Sequence, residues 1–466
     1  MLIRFIYFSL AATACLSLAD QSVAQIDDSE LTPATTLLIS ERTTGTYTEI
    51  IEAARLDARE GELKDIIVSA FEYHPQLKSL RAQGRASFEN VMEARASYLP
   101  QLVLDSTASI SDREAELQDG SGFDQNTEPK SISLRLNQTL YNGGRRSLAT
   151  QNALLSTQAA NSRYQIAATA ISAEIINDYI SLMASEEEAR ALERSVVTLV
   201  DLEKSVLARR EAGDATRTEV SQAVSRLAAA RARREASRAS VSNARARLLS
   251  KTGFLVQNPT LPEEAKRPIR LSLQDIISRA KQESPSLSNT KLSEQSAQIA
   301  LQQETRKWRP TISLTANATA VRDSSPTIAR DDDLNVGLRL TMPLYTGGAG
   351  SAQTRRAAAQ YQAARYASDD VLREVRLQVT QLWTQLQSGR AALEAQRASV
   401  AASEDALTGV TKAQLAGLST TQDILDATQI KLEAEIGLAQ AEFSQYATRL
   451  LLRLYIGDLD VYRLDL

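Results

Sequence analysis

The chain is short of the residues that most active sites are built from. Its 466 residues include one cysteine and one histidine, Cys15 and His74. That leaves no material for a Cys/His metal cluster or a Cys–His catalytic pair. No metal, no cofactor and no enzyme activity is expected. Proline is scarce, at 11 residues, and aromatics make up only 5%. Scarce proline beside abundant Ala, Leu, Gln and Arg points to long helices. The formal net charge is only -4, which excludes a chain-wide nucleic-acid surface. Beyond the N-terminus there is no run of about 18 apolar residues, so no membrane-spanning helix is expected.

The first 24 residues read as a secretory leader. Arg4 supplies the positive start, an apolar stretch follows, and Ser22-Val23-Ala24 offers small residues for cleavage. A rival reading is a lipid-modified Cys15 after Ala12-Thr13-Ala14, without the usual Leu three residues ahead. Cleavage after Ala24 would leave no cysteine and hence no disulfide. An exported chain without a membrane helix is either soluble or a β-barrel.

What is present is a repeat. LRLNQTLYNGG starts at Leu134 and LRLTMPLYTGG at Leu338, with Tyr141 and Tyr345 about 204 residues apart. Gly213 and Gly417, and Gly253 and Gly457, keep that offset. Pro75 and Pro285, and Pro100 and Pro310, are about 210 apart. A length difference of about six residues therefore falls between Pro100 and Leu134. The polar segment 112–129 is read as the surface loop that absorbs it, with 322–333 as its partner. The chain divides into a leader 1–24, an N-terminal segment 25–60, a first repeat 61–253, a linker 254–270 and a second repeat 271–466.

Each repeat has the same order. A helix of about 38 residues starts near Glu62 and again near Ser272. Two strand-like stretches follow, then a very long helix, a glycine turn and a return helix. Leu334, Val336, Leu338, Leu340 and Met342 alternate with Asn335, Gly337, Arg339 and Thr341. Ile132, Leu134 and Leu136 alternate with Ser133, Arg135 and Asn137. That is period two, with one apolar face and one polar face. After the Gly-Gly pairs the period changes to helical, and Leu192, Val196, Leu199 and Val206 mark one apolar stripe. About 67 residues would make a rod of roughly 100 Å.

Four strands with an apolar face cannot close a membrane barrel alone, because about eight are needed. An open edge in lipid leaves backbone groups unpaired. Either the strands sit in water against helices, or several chains share one barrel. In the shared barrel the polar face lines the lumen and places Arg135 and Arg339 there.

The chain resembles the TolC family of outer-membrane efflux and secretion ducts across nearly all of residues 63–458. LYNGG and LYTGG at the strand-to-helix junctions carry the resemblance, with the turn motifs GDATRTEVSQA and GLSTTQDILDA and the duplicated plan. It implies a mostly α fold with a membrane β-barrel part. Three identical chains would build a 12-stranded barrel continued by a 12-helix α-barrel. It also implies an outer-membrane location reaching into the periplasm, a periplasmic adaptor (membrane fusion protein) and an inner-membrane ABC or proton-driven transporter. The duct itself would be passive, serving type I protein secretion or multidrug efflux. The competing reading is an exported coiled-coil scaffold, which leaves the matched strand pairs unexplained.

Three sites follow. Tyr141, Gly143 and Gly144, with Tyr345, Gly347 and Gly348, form the barrel-to-helix junctions, where glycine permits a sharp bend. Gly213 and Gly417 form the helix-hairpin tips, with Leu418 adding an apolar adaptor contact where the first tip has Asp214. The resemblance implies that Asp423 and Asp426, three residues apart on one helix face, line a periplasmic gate, with Glu219 at the matching position of the first repeat. Carboxylates gathered from three chains would raise one another's pKa and attract cations. The bland alternative is that acids in a first helical turn favour the helix dipole. The family's latch pairs a Tyr with an Arg, and these positions hold Gln414 and Ser419 here. Arg210 and Arg217 are the candidate substitutes. The arginine-rich run 231–247 reads as a solvated or interhelical face, residues 186–188 as a solvated one, and His74 as a helix end.

Overall fold

A computed structural model describes residues 58–60, 62–116, 122–325 and 328–459. The leader, Cys15 and most of segment 25–60 lie outside these residues. The elements in order are β1 (Ala58–Glu60), α1 (Leu63–Tyr73), α2 (Pro75–Ala96), β2 (Gln101–Ala108), β3 (Ser111–Glu116), β4 (Gly122–Thr127) and β5 (Lys130–Tyr141). Then come α3 (Arg145–Glu211), α4 (Arg217–Thr252), β6 (Leu255–Gln257) and α5 (Glu263–Lys266). The second repeat supplies α6 (Leu273–Glu283), α7 (Pro285–Arg306), β7 (Thr311–Ser325), β8 (Ile328–Thr341), α8 (Ala349–Leu415) and α9 (Thr421–Tyr455). The chain divides into two compact units.

The first unit holds residues 88–154 and 298–358. Its centre is an antiparallel four-stranded sheet in the order β2-β5-β7-β8. The sheet is open, with β2 and β8 as its edges. The segments read as loops are strands for much of their length. β3 pairs β4 in a small hairpin, and β7 and β8 run out to Ser325 and Ile328. Polar residues do not forbid a strand, because the antiparallel ladder satisfies the backbone.

Of the described residues, the second unit holds 58–60, 62–87, 155–297 and 359–459. The single leading helix expected in each repeat is two helices. His74 and Ser284 take extended angles just before Pro75 and Pro285. The proline ring disfavours a helical residue ahead of it, so the helix stops and restarts. Ile66, Ile175, Ile176, Tyr179 and Leu248 are fully buried in the main core, which also takes in Leu450 and Leu454 of the second repeat. Each such aliphatic side chain contributes about 1.5–3 kcal/mol by leaving water. The linker is tied into this core through Phe254, Val256 and Ala265, and β6 pairs in parallel with β1.

The stripe Leu192, Val196, Leu199 and Val206 is buried along α3. The arginine run faces α3, and of the glutamates read as solvated it meets Glu186. Arg234 and Arg238 on α4 reach Glu193, Arg245 reaches Glu186 and Arg247 reaches Asp178. It is an interhelical ladder of ion pairs. α8 has the same length as α3 but buries few apolar residues, among them Val379 and Leu386, and leaves Tyr366 and Leu377 exposed. Among the described residues, no helix is long and apolar enough to cross a membrane.

Candidate functional site: sheet face, junctions and hairpin tips

Strand register sorts the sheet into two faces. Leu104, Leu134, Ala318 and Leu334 lie in one row, and Leu102, Leu136, Ala316 and Val336 in the next. Leu314 faces Leu338, and Ile312 faces Leu340, on the same side. This face is bare: Leu104 is 66% exposed, Leu334 68% and Leu338 70%. A contiguous apolar patch of this kind marks a surface made to be covered. The other face carries the row Val103, Arg135, Asn317 and Asn335, with Arg339 opposite Ser313. Arg135 and Arg339 therefore share the polar side.

At the first junction Gly143 and Gly144 have φ of 69° and 80°. Only glycine adopts this region without cost. Two residues from the second repeat hold them. Arg309 donates to the Gly143 carbonyl at 3.3 Å, and Arg306 donates to that of Gly144 at 3.2 Å. Arg146 closes the other side. Its guanidinium donates to Thr139, Leu140 and Ser97 carbonyls and lies 4.5 Å from the Tyr98 ring centre. Arg145 reaches the Thr311 hydroxyl at 3.0 Å. Sequence reading missed all four arginines. A signal was present: Arg145 and Arg146 open a helix, where the dipole disfavours cations. Their charge is directed back at carbonyls of the strand end.

A β-carbon on Gly143 would sit 2.6 Å from the Arg309 β-carbon. Gly143→Ala therefore combines that clash with about 1–2 kcal/mol for a non-glycine residue in a left-handed conformation. A clear drop in the unfolding temperature of the purified protein is the expected result. At the second junction Gly347 and Gly348 have φ of 59° and 85°, with no atom of their own chain within 4 Å of the added β-carbon. Leu344 and Tyr345 beside them are 82% and 86% exposed, against 44% for Tyr141.

The two tips share one construction. Asp214 N–H donates to Arg209 O and Leu418 N–H to Ala413 O, both at 2.8 Å, around Gly213 (φ 87°) and Gly417 (φ 76°). This is a Schellman ending, which satisfies the last carbonyls of the long helix. Three residues after each glycine, Thr216 and Thr420 cap the return helix in a capping box with Glu219 and Asp423. At the apex the second tip offers Leu415 and Leu418, at 85% and 84% exposed.

The three candidate gate acids do different things in one chain. The Thr420 backbone N–H, then the Thr420 and Ser419 hydroxyls, hold the Asp423 carboxyl below its usual range. The Thr216 backbone N–H, followed by the Thr421 hydroxyl, does the same for Glu219. Within the chain neither group is raised, because local donors outweigh like charge. Asp426 instead accepts from Arg226 at 2.7 Å and from Gln422. Thr421 links the tips: it donates to Glu219 at 2.7 Å and accepts from Arg209. Within one chain, Arg209 and Arg226 are the arginines that make these contacts. Gln414 also reaches the Thr421 hydroxyl, at 3.4 Å.

The lowered carboxyls fix a pH dependence. A depressed folded-state pKa stabilises at pH above the ordinary value, and that contribution is lost as pH falls through the depressed one. The tips should therefore stay capped at pH 5 and fray only below the usual carboxylate range. Amide exchange at Glu219 and Asp423, whose N–H groups donate to Thr216 and Thr420, reads this directly.

No group of acids, His and Cys able to hold a metal occurs among the described residues. The outer membrane efflux protein family model matches residues 66–253 and 276–458, the two repeats in turn. The outer membrane efflux protein BepC of Brucella suis is 29% identical over 383 residues, covering 82% of each chain. The outer membrane protein TolC of Salmonella enteritidis is 24% identical over 399 residues, covering 83% of this chain and 80% of its own. The crystal structure of the outer membrane protein VceC from Vibrio cholerae superposes with a TM-score of 0.72 at 19% identity, over 85% of this chain and 96% of that one.

Proposed function

The chain belongs to the outer membrane efflux protein family, and from that premise we propose how its parts make a duct. It is an outer-membrane channel for efflux or secretion, and the outer membrane is where it resides. Three copies each give four strands to one 12-stranded barrel. Their long helices continue it as a 12-helix tunnel through the periplasm. The observation that carries this is the open sheet, with two unpaired edges and one bare apolar face. Lipid would cover the face, and neighbouring copies would pair the edges.

In this arrangement Arg135 and Arg339 line the barrel lumen, and the Gly-Gly junctions turn each strand into a tunnel helix. The hairpin tips at Gly213 and Gly417 meet a periplasmic adaptor. The second tip, with its exposed Leu418, is the stickier of the two. Asp423, Asp426 and Glu219 surround the entrance. The duct performs no chemistry; an inner-membrane ABC or proton-driven pump supplies the energy. Purified protein in a planar bilayer should give discrete conductance steps, and mild gels should show an oligomer that heat separates. A soluble monomer without conductance would return the chain to the scaffold reading.

A further inference from the structure

The end of the four-stranded sheet remote from the Gly-Gly junctions sorts its charges by face. Ala108, Lys130, Arg322 and Arg330 form one row there, and Ser106, Ile132, Ala320 and Asp332 form the next row on the same side. By period two both rows lie on the apolar face, in line with Leu134 and Leu334. The rows on the polar side are Thr107, Ser131, Val321 and Asp331, then Asp105, Ser133, Thr319 and Asp333. Within these rows the apolar side carries three cations and one acid, and the polar side three acids and no cation.

The ladder alone gives no reason for the cationic row. Lys130 pairs directly with Arg322, and Arg322 with Arg330. Like charges directly opposite one another destabilise a sheet. Asp332 offsets part of this by accepting from Arg322 Nη1 and from Arg330 Nε, each at 2.7 Å. Lys130 donates to Glu128, just ahead of the strand, at 3.3 Å. The three cationic side chains are still 41% to 62% exposed. The opposite end of the sheet is finished differently. Exposed Tyr98, Tyr141 and Tyr345 stand at the junctions, and tyrosine is a residue that sits at an ordinary headgroup boundary. No aromatic occurs in the four rows at the charged end.

We infer that the row Lys130, Arg322 and Arg330 binds the phosphate groups of lipids in the leaflet around this end of the sheet. This rests on the reading of the apolar face as the lipid face and goes beyond it. The apolar rows take the acyl chains, and the cations meet the headgroup at the edge of that band. Guanidinium groups grip phosphate oxygens in pairs, and the ammonium adds a point charge. An anionic headgroup also relieves the opposition of like charges that the bare row suffers. The acids turned to the polar side do not repel it at close range. The site is thus selective for a phosphorylated lipid over a neutral one.

The test uses the full-length protein in a non-ionic detergent, titrated with lipid A, a glycolipid carrying two phosphates, and read by native mass spectrometry. Lipid A should bind on the order of tenfold or more tightly than its dephosphorylated form. Lys130→Gln, Arg322→Gln and Arg330→Gln together should remove that preference. Lys130→Gln alone, the mildest change, should weaken binding roughly fivefold. Inorganic phosphate should compete poorly, because it has no chains for the apolar face to hold; competition equal to that of lipid A would make this a free-anion site and overturn the lipid. Asp331→Asn with Asp333→Asn, on the polar side, should leave binding unchanged. Loss of binding in that pair, or on adding a chelator, would assign the lipid to carboxylates bridged by a divalent cation and overturn the proposal. Equal binding of the two lipid forms, or undiminished preference in the triple variant, overturns it too. All these results leave the oligomer and its conductance in place, whereas absence of any oligomer in the unmodified protein overturns the shared barrel itself.

Discussion

Leu338→Arg is expected to deplete the outer membrane of the proposed assembled oligomer, while Asn335→Arg should leave assembly intact. The two positions are close on β8 but on opposite faces. Leu338 belongs to the bare apolar face with Leu314, and Asn335 to the polar face in the row of Arg135. An arginine facing lipid near the bilayer midplane costs about 2–4 kcal/mol, whereas lumen positions tolerate charge. In an assembly of three the cost recurs in every chain. Heat-modifiable oligomer in the outer-membrane fraction measures it. Equal behaviour of the two variants would mean that the apolar face is not the lipid face.

The second large effect concerns the proposed entrance. Asp423→Ala with Asp426→Ala should weaken divalent-cation block of the conducting channel on the order of tenfold, the lower end of what a charge-lined cleft contributes. Arg226→Ala should act in the opposite direction. It removes the cation that lies 2.7 Å from Asp426 and would free that carboxylate to act at the proposed entrance. Neither change should cost the oligomer, since a half-exposed ion pair contributes only about 0–1 kcal/mol. Thr420→Ala is the control: it loosens the same helix cap but keeps both acids. Block that falls equally in Thr420→Ala would assign the effect to tip structure rather than to charge. Recordings at low salt are the sensitive ones, because screening shortens to about 8 Å at physiological ionic strength.

The duplication, the strand faces, the two long helices and the glycine turns were legible because each is a local pattern. Leu334 to Leu340 announces its face by alternation, and Gly213 needs only its neighbours to end a helix. What stayed hidden are contacts between segments far apart in sequence. Arg306 and Arg309 meet Gly143 and Gly144 across more than 160 residues. Nothing in either stretch alone indicates that meeting. Arg209 rather than Arg210 reaches Thr421, a difference of one position that turns a side chain by about 100° around a helix. The broken leading helices are a plainer omission, since Pro75 and Pro285 were in view and their effect on the residue ahead is local. The strands within 112–129 and 322–333 were masked by their polarity, which describes what surrounds a strand better than whether one forms.

The two repeats carry nearly the same elements but not the same share of the interior. α3 is stitched into the main core through Ile171, Ile175, Ile176 and Tyr179, whereas α8 contributes Val379 and Leu386 to a smaller one and lies largely open. A lone chain after export would therefore mature unevenly. The main core can set once Leu450 and Leu454 of α9 join α3, while α8 stays accessible until, in the proposed duct, other copies cover it. Periplasmic proteases would then act as assembly inspectors. Limited digestion of an unassembled chain is expected to cut first within α8, at sites such as Arg365 or Arg373. The same helix in the finished duct should resist.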